Sequence, residues 1–178
     1  MTPTGKFQKL TIRKMVESDL SAVEALDRAS FNDPWPDGSF AYELKPGQPN
    51  LCLVAVVGEN EQLVGAIVVW LIVDEAHIGT IAVDPEYRHH GVGLMLLATA
   101  LLQAAELGAT ASLLKVRAGN TAALKLYYGL GYEAVGLRAG YYKDNHEDAL
   151  LLTNPRLDIE KLKKIAGQSQ GRFEDNLV

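Results

Sequence analysis

A chain of 178 residues suits one domain with a single core, and its 48% hydrophobic and 22% charged residues are a globular balance. No apolar run is long enough to span a membrane, residues 1–9 lack the apolar core of a secretory signal, and one cysteine excludes an internal disulfide framework and a cysteine-rich metal site. The net charge of -5 argues against broad nucleic-acid binding, which needs a basic surface, so a cytoplasmic protein with no nucleic-acid or membrane partner is expected.

Residues 1–9 read as a short polar extension. Residues 10–15 read as a strand, and Ser18 as the cap of a helix carrying Leu20, Val23 and Leu26. A loop dense in proline and aromatics follows, Phe31-Asn32-Asp33-Pro34-Trp35-Pro36, then a short helix over 37–44. The β-branched runs 51–57 and 63–73 are joined by Gly58-Glu59-Asn60-Glu61, a hairpin signal, and Cys52 in the first run is expected to be buried packing. Residues 75–83 are a further strand. An alanine- and leucine-rich helix over 93–107 is stopped by Gly108. A strand over 112–117, a helix over 121–130 and strands over 132–142 and 148–153 complete a domain spanning 10–154. This alternation predicts an α/β fold, a mixed central sheet with helices on both faces. The tail, 155–178, opens with an amphipathic stretch at 157–165 and ends in polar residues expected to fray.

The segment from Ile81 to Leu94 carries the most chemistry. A strand ends at Val83, a loop turns, and a long helix starts near Gly93. Such a start offers unpaired N–H groups and the positive end of the helix dipole. Gly91 and Gly93 remove side chains that would hold a ligand off those groups, and Arg88 adds a positive charge, a combination suited to a pyrophosphate. No Gly-Lys-Ser/Thr follows, so this is no P-loop; the third glycine of a dinucleotide fingerprint is missing too. His89 and His90 have no carboxylate or cysteine at ligand spacing, and no metal is expected there.

Four motifs in order carry a resemblance. Arg88-x-x-Gly91-x-Gly93 and the preceding Ile81-Ala82-Val83-Asp84-Pro85 are similar to the coenzyme A loop of the GCN-five-related N-acetyltransferases. Val116-Arg117…Asn120…Leu126-Tyr127 with Gly131-Tyr132 resembles that family's downstream motif. Phe31-x-x-Pro34-Trp35 and Tyr141-Tyr142…Glu147-Asp148-Ala149 are similar to the branch of ribosomal-protein-alanine N-acetyltransferases (the RimI type) and their N-terminal acetyltransferase relatives.

The resemblance implies a sheet whose middle strands splay apart, with acetyl-CoA as cosubstrate and a peptide or protein N-terminus as acceptor. It implies that the backbone of Ile81, Ala82 and Val83 pairs with the pantetheine arm, and that the N–H groups of His89, His90, Gly91, Val92, Gly93 and Leu94 hold the pyrophosphate. Asn120 matches the family asparagine near the cofactor arm; it reads equally as a plain helix cap. Tyr127 matches the tyrosine that protonates the leaving thiolate, and a phenol near pKa ~10 is a suitable acid for that. Phe31, Trp35 and Tyr142 flank the acceptor site in the resembled branch, although the two loop aromatics equally read as a plug on the sheet. One position departs: Leu114-Lys115-Val116-Arg117 puts a lysine where the branch has its glutamate base. His77, on the neighbouring strand and expected to share a face with Gly79 and Ile81, offers a substitute base, with a satisfied core histidine as its alternative. A small-molecule amine or lysine acetyltransferase and a non-catalytic acyl-CoA-binding module are the rival functions.

Overall fold

The β-branched runs dictate the sheet. The computed structural model describes residues 8–168 and 172–173; the expected N-terminal extension up to residue 7 and tail residues 169–171 and 174–178 lie outside the described residues. In chain order the main elements are β1 (Gln8–Lys14), α1 (Leu20–Ser30), α2 (Ser39–Glu43), β2 (Asn50–Val57), β3 (Gln62–Ile72), β4 (Glu75–Val83), α3 (Val92–Glu106), β5 (Ala111–Arg117), α4 (Thr121–Gly129), β6 (Glu133–Arg138), β7 (Ala149–Asn154), α5 (Ile159–Gly167) and β8 (Arg172–Phe173). The strands form one mixed sheet in the order β6-β7-β5-β4-β3-β2-β1-β8, antiparallel throughout except for β4 against β5.

β2 is buried from Leu51 to Val57 because helices cover both faces of the sheet, which is why its sequence is a continuous apolar run rather than an alternation. On one face α3, α4 and α5 close a core around Leu96, Leu97 and Leu101, all fully buried; each such side chain contributes about 1.5–3 kcal/mol of transfer free energy. On the other face α1 and α2 cover a smaller cluster that includes Val23, Phe40, Val54 and Val68. Cys52 is buried there, and burial pushes its thiol up to about 11, which leaves it an inert packing residue.

Two irregularities position the site. β4 and β5 pair only at Glu75↔Ala111, Ala76↔Ser112 and His77↔Leu113, and beyond His77 the strands part, giving the expected splay. On the other edge of β4, Val68 faces Thr80 and Val69 faces Ile78, so Gly79 is the extra residue of a β-bulge. The bulge corrects one expectation. Ile78 and Ile81 both pack toward α3, so His77 points to the opposite face from Ile81 instead of sharing its face.

Three further expectations change. Ser18 is not the cap of α1: a 3₁₀ turn occupies Glu17–Asp19, and the Asp19 carboxylate accepts the Val16 N–H at 2.8 Å while paired with Arg13, which holds it below the usual carboxylate range. β6 ends at Arg138 because Gly140 turns the chain at φ +58°, so Tyr141 and Tyr142 stand in a loop rather than a strand. The amphipathic stretch of the tail is not peripheral. Capped by Asp158, α5 packs on α3 and adds Leu162 to the core; the chain then returns to the sheet, where β8 pairs with β1.

Candidate active site

The loop after β4 is built to present the start of α3. Asp84 accepts the Glu86 N–H at 2.9 Å, fixing a 3₁₀ turn at Pro85–Tyr87. Arg88 folds back so that Nε donates to the Val83 carbonyl at 2.9 Å, and His90 Nδ1 meets the Arg88 carbonyl at 2.7 Å. Gly91 then takes a left-handed conformation, φ +83°, as the N-cap of α3. Having no side chain, Gly91 leaves the first N–H groups of α3 uncapped from within the helix, as an anion site requires. Gly93 also has a packing role. A Cβ there would stand 3.3 Å from Leu126 Cδ1 and 3.6 Å from Val83 Cγ2, so this glycine brings α3 close to α4 and β4.

From that helix start a groove of about 650 Å³ runs along Ile81 to Val83, the stretch of β4 that has no β5 partner. Of the residues singled out in the sequence, Phe31, Ile81, Ala82, Val83, Arg88, His89, Gly91, Val92, Gly93, Leu94, Asn120 and Tyr127 line it; His90 is in the same loop but not in the wall. Asn120 caps α4, its Oδ1 accepting the Ala123 N–H at 3.2 Å, and it also lines the groove. Tyr127 is 5% exposed, with its ring edge-on to Tyr132 at 5.5 Å. Burial pushes its phenol well above the ordinary value, so it remains a protonated donor.

The groove also includes Ser30, Lys125, Lys161 and Ile165, which sequence reasoning missed. Lys125 is two residues before Tyr127, and the helical period through Ala122, Leu126 and Gly129 could have revealed that wall. Lys161 and Ile165 come from α5, whose docking has no local signal; Lys161 Nζ donates to the Gly129 carbonyl at the end of α4.

His77, Lys115, Trp35 and Tyr142 do not line this groove. His77 and Lys115 stand on the α1 and α2 face, while Tyr142 is close enough to Tyr127 for the two phenols to interact. Trp70, His77 and Leu113 are cross-strand partners and so share that face; Lys115 and Arg117 continue it along β5. His77 Nε2 lies 2.8 Å from Glu75 Oε2, which accepts its hydrogen bond. Lys115 Nζ donates to Tyr141 Oη at 3.0 Å. Arg117 sits 3.9 Å from the Tyr142 ring centroid and pairs with Asp144 and Glu147. Its hydrogen bond holds Asp144 below the usual carboxylate range, while Glu147 is lowered first by the Gly119 N–H. Asp148 accepts the Gly140 N–H at 2.8 Å, so the acidic pair orients the β6–β7 loop. Asn32 Nδ2 reaches Asp144 at 3.2 Å and ties the α1–α2 loop to the β6–β7 loop. Trp35 is the plug that its alternative reading described, stacked on Phe40 at 4.9 Å and on Trp70 at 5.8 Å.

Comparison with known proteins agrees with this architecture. Residues 20–132 match the acetyltransferase (GNAT) family. A Bacillus subtilis (strain 168) protein described as a candidate [ribosomal protein bS18]-alanine N-acetyltransferase is 35% identical over 144 residues, covering 81% of this chain and 94% of its own. The [ribosomal protein bS18]-alanine N-acetyltransferase of Escherichia coli (strain K12) is 31% identical over 147 residues, covering 82% of this chain and 97% of its own. The crystal structure of the Escherichia coli ribosomal-protein-S18-alanine N-acetyltransferase superposes with a TM-score of 0.74 at 29% identity, over 83% of this chain and 94% of that one. A sheet opened beside an uncapped helix start, in a chain whose larger part matches the family and whose relatives align almost end to end, belongs to the GNAT acetyltransferases.

Proposed function

We propose that this protein transfers the acetyl group of acetyl-CoA to the α-amine at a protein N-terminus, with a ribosomal protein of the bS18 kind as the first candidate acceptor. The observation that carries this reading is the groove along the unpaired stretch of β4, which joins the start of α3 to the buried Tyr127 and to Phe31. The bS18-alanine acetyltransferases to which the chain is similar support the choice of acceptor.

The residues fit the cosubstrate. The uncapped N–H groups of α3, with Arg88 and Lys125 nearby, suit a pyrophosphate. The edge of β4 from Ile81 to Val83 has no β5 partner and suits the amides of the pantetheine arm as an added strand. The amine nitrogen forms its bond to the thioester carbonyl carbon, the carbon–sulfur bond breaks, and Tyr127 gives its proton to the departing sulfur. The proton lost by nitrogen passes through water to His77, which Glu75 orients in the way a base is held by a third group. An α-amine has a reference pKa of about 7.7–8.0 and is partly neutral at physiological pH, so this base is helpful rather than obligatory. Lys115, donating to Tyr141, is placed as a cation and not as the base. The unit that performs this chemistry extends beyond residue 154 through α5, which supplies Lys161 and Ile165 to the groove.

The test is thiol release from acetyl-CoA with mass spectrometry of the acceptor peptide. Acetylation of a peptide carrying a free α-amine, and none of the same peptide blocked at its N-terminus with an internal lysine, is the expected outcome. Transfer to lysine or to small amines alone, or coenzyme binding with no transfer, overturns the reading in favour of a rival.

A further inference from the structure

Asp27 lies on α1 and is only 3% exposed. Its Oδ2 accepts the Trp35 N–H at 2.7 Å, while its own backbone carbonyl accepts the Phe31 N–H at 3.0 Å. One residue therefore holds both ends of the Phe31–Trp35 loop. Its Oδ1 is buried and has no hydrogen-bond partner among the described residues, and the same is true of Ser30 Oγ one turn later. A buried carboxylate with one oxygen unsatisfied costs stability, and burial raises its pKa. A leucine would fill this part of α1 at less cost. The Trp35 N–H bond is the one thing the carboxylate supplies that an apolar side chain does not.

That bond has a long reach. Trp35 stacks on Trp70 with planes 5° apart, and Trp70 covers the bulge so closely that a Cβ at Gly79 would lie 2.9 Å from its ring. Trp70 is also the cross-strand partner of His77. The other wall of the same loop is pinned from outside by Asn32 on Asp144. The loop thus stands between an inner clasp on α1 and an outer clasp on the β6–β7 loop, and Ser30 and Phe31, at its root, line the groove.

We propose that Asp27 is a positioning residue for the acceptor: by holding the Trp35 backbone it sets the Trp35–Trp70 stack and the place of Phe31, and so fixes how tightly an N-terminal peptide binds. Asp27 touches neither substrate. The proposal rests on the acetyl-transfer reading, and its experiment separates the two.

The variants are Asp27→Leu, Asp27→Ser and Asp27→Asn in the full chain, with an α-amine peptide as acceptor. The asparagine keeps an acceptor oxygen at the right reach and is expected to stay within about twofold of wild type. Leucine and serine are expected to raise the peptide KM about tenfold or more, as loss of a charge-assisted hydrogen bond would. Acetyl-CoA affinity and kcat are expected to hold within about twofold. Tryptophan emission, read without any acceptor, is expected to shift to longer wavelength in Asp27→Leu and Asp27→Ser as the stack opens, and not in Asp27→Asn. If leucine and serine keep the wild-type KM and emission, or if coenzyme affinity falls in step with KM, Asp27 is structural only and the proposal is overturned. Failure of the wild type to acetylate any α-amine peptide would sink the functional reading, while the emission series still decides the role of Asp27.

Discussion

The ammonium of Lys115 donates a hydrogen bond to the phenol of Tyr141 at 3.0 Å, joining the middle of the sheet to the β6–β7 loop across a sequence separation of 26 residues. The same ammonium lies 5.1 Å from the Tyr141 ring centroid. The hydrogen bond from Lys115 lowers the Tyr141 pKa. Replacing Lys115 by alanine should therefore move the Tyr141 titration upward, visible as a shift of its ultraviolet absorbance change to higher pH. Turnover with an α-amine peptide should fall less than about tenfold, since no general base is lost. A fall of about 10² or more with an unshifted titration would make a neutral lysine the base.

Tyr127→Phe should keep acetyl-CoA affinity and lower kcat by about 10²–10⁴, the usual range for loss of a positioned acid. Because burial raises the Tyr127 pKa, the alkaline limb of the wild-type kcat profile should not come from this phenol up to about pH 10. The same shift makes a stability prediction. Tyr127 and Tyr132 both titrate higher folded than unfolded, so their contribution is intact below the unfolded pKa of about 10 and is lost as pH rises past it. Denaturant midpoints measured from pH 8 to 11 should fall only in the last part of that range, and less steeply in Tyr127→Phe.

His77→Ala should lower kcat/KM for an α-amine peptide by more than about tenfold and leave coenzyme binding unchanged. Glu75→Gln, which removes the carboxylate facing His77 Nε2, should lower kcat/KM by a smaller factor, about tenfold. Steady-state rates across pH for both variants check this. An unchanged kcat/KM in His77→Ala would return His77 to the role of a satisfied structural histidine.

Gly79→Ala should lower stability by about 1–3 kcal/mol, a cost typical of overpacking. Its Cβ would meet three atoms of the Trp70 ring at 2.9–3.2 Å, and that ring is stacked against Trp35 and cannot retreat freely. Thermal unfolding gives the stability, and peptide KM should rise because the Trp35 stack and His77 are both next to the bulge.

The loop that presents the start of α3 was legible because its determinants are local. A strand end, a glycine turn and a helix start occupy fourteen consecutive residues, from Ile81 to Leu94, and the alternation of apolar runs placed β4 at its observed bounds. The acceptor side was less legible because its determinants are pairings between distant segments. The bulge at Gly79 depends on the register of β3 against β4, and strict alternation along β4 therefore put His77 on the wrong face. Tyr141 reaches Lys115, and Asn32 reaches Asp144, only because the β6–β7 loop folds over β5. Asp27 reads in sequence as one more charged residue of a surface helix; only packing shows that it is buried. The place of Lys161 likewise follows from the docking of α5 on α3, not from anything within the tail.

The parting of β4 and β5 after His77 also leaves two rows of backbone donors and acceptors facing each other in the middle of a sheet without a ladder between them. Proteins normally keep such open edges short, charged or covered, since they attract extended chains of any kind. On the proposed reading the guest is the pantetheine arm of the cosubstrate, whose two amides suit these open edges. A ligand bound only to the folded state adds RT ln(1 + [L]/Kd), about 2.7 kcal/mol at a hundredfold excess over Kd. On that reading the coenzyme completes the sheet as well as supplying the acetyl group, and the chain should be most prone to aggregate when the coenzyme is withheld.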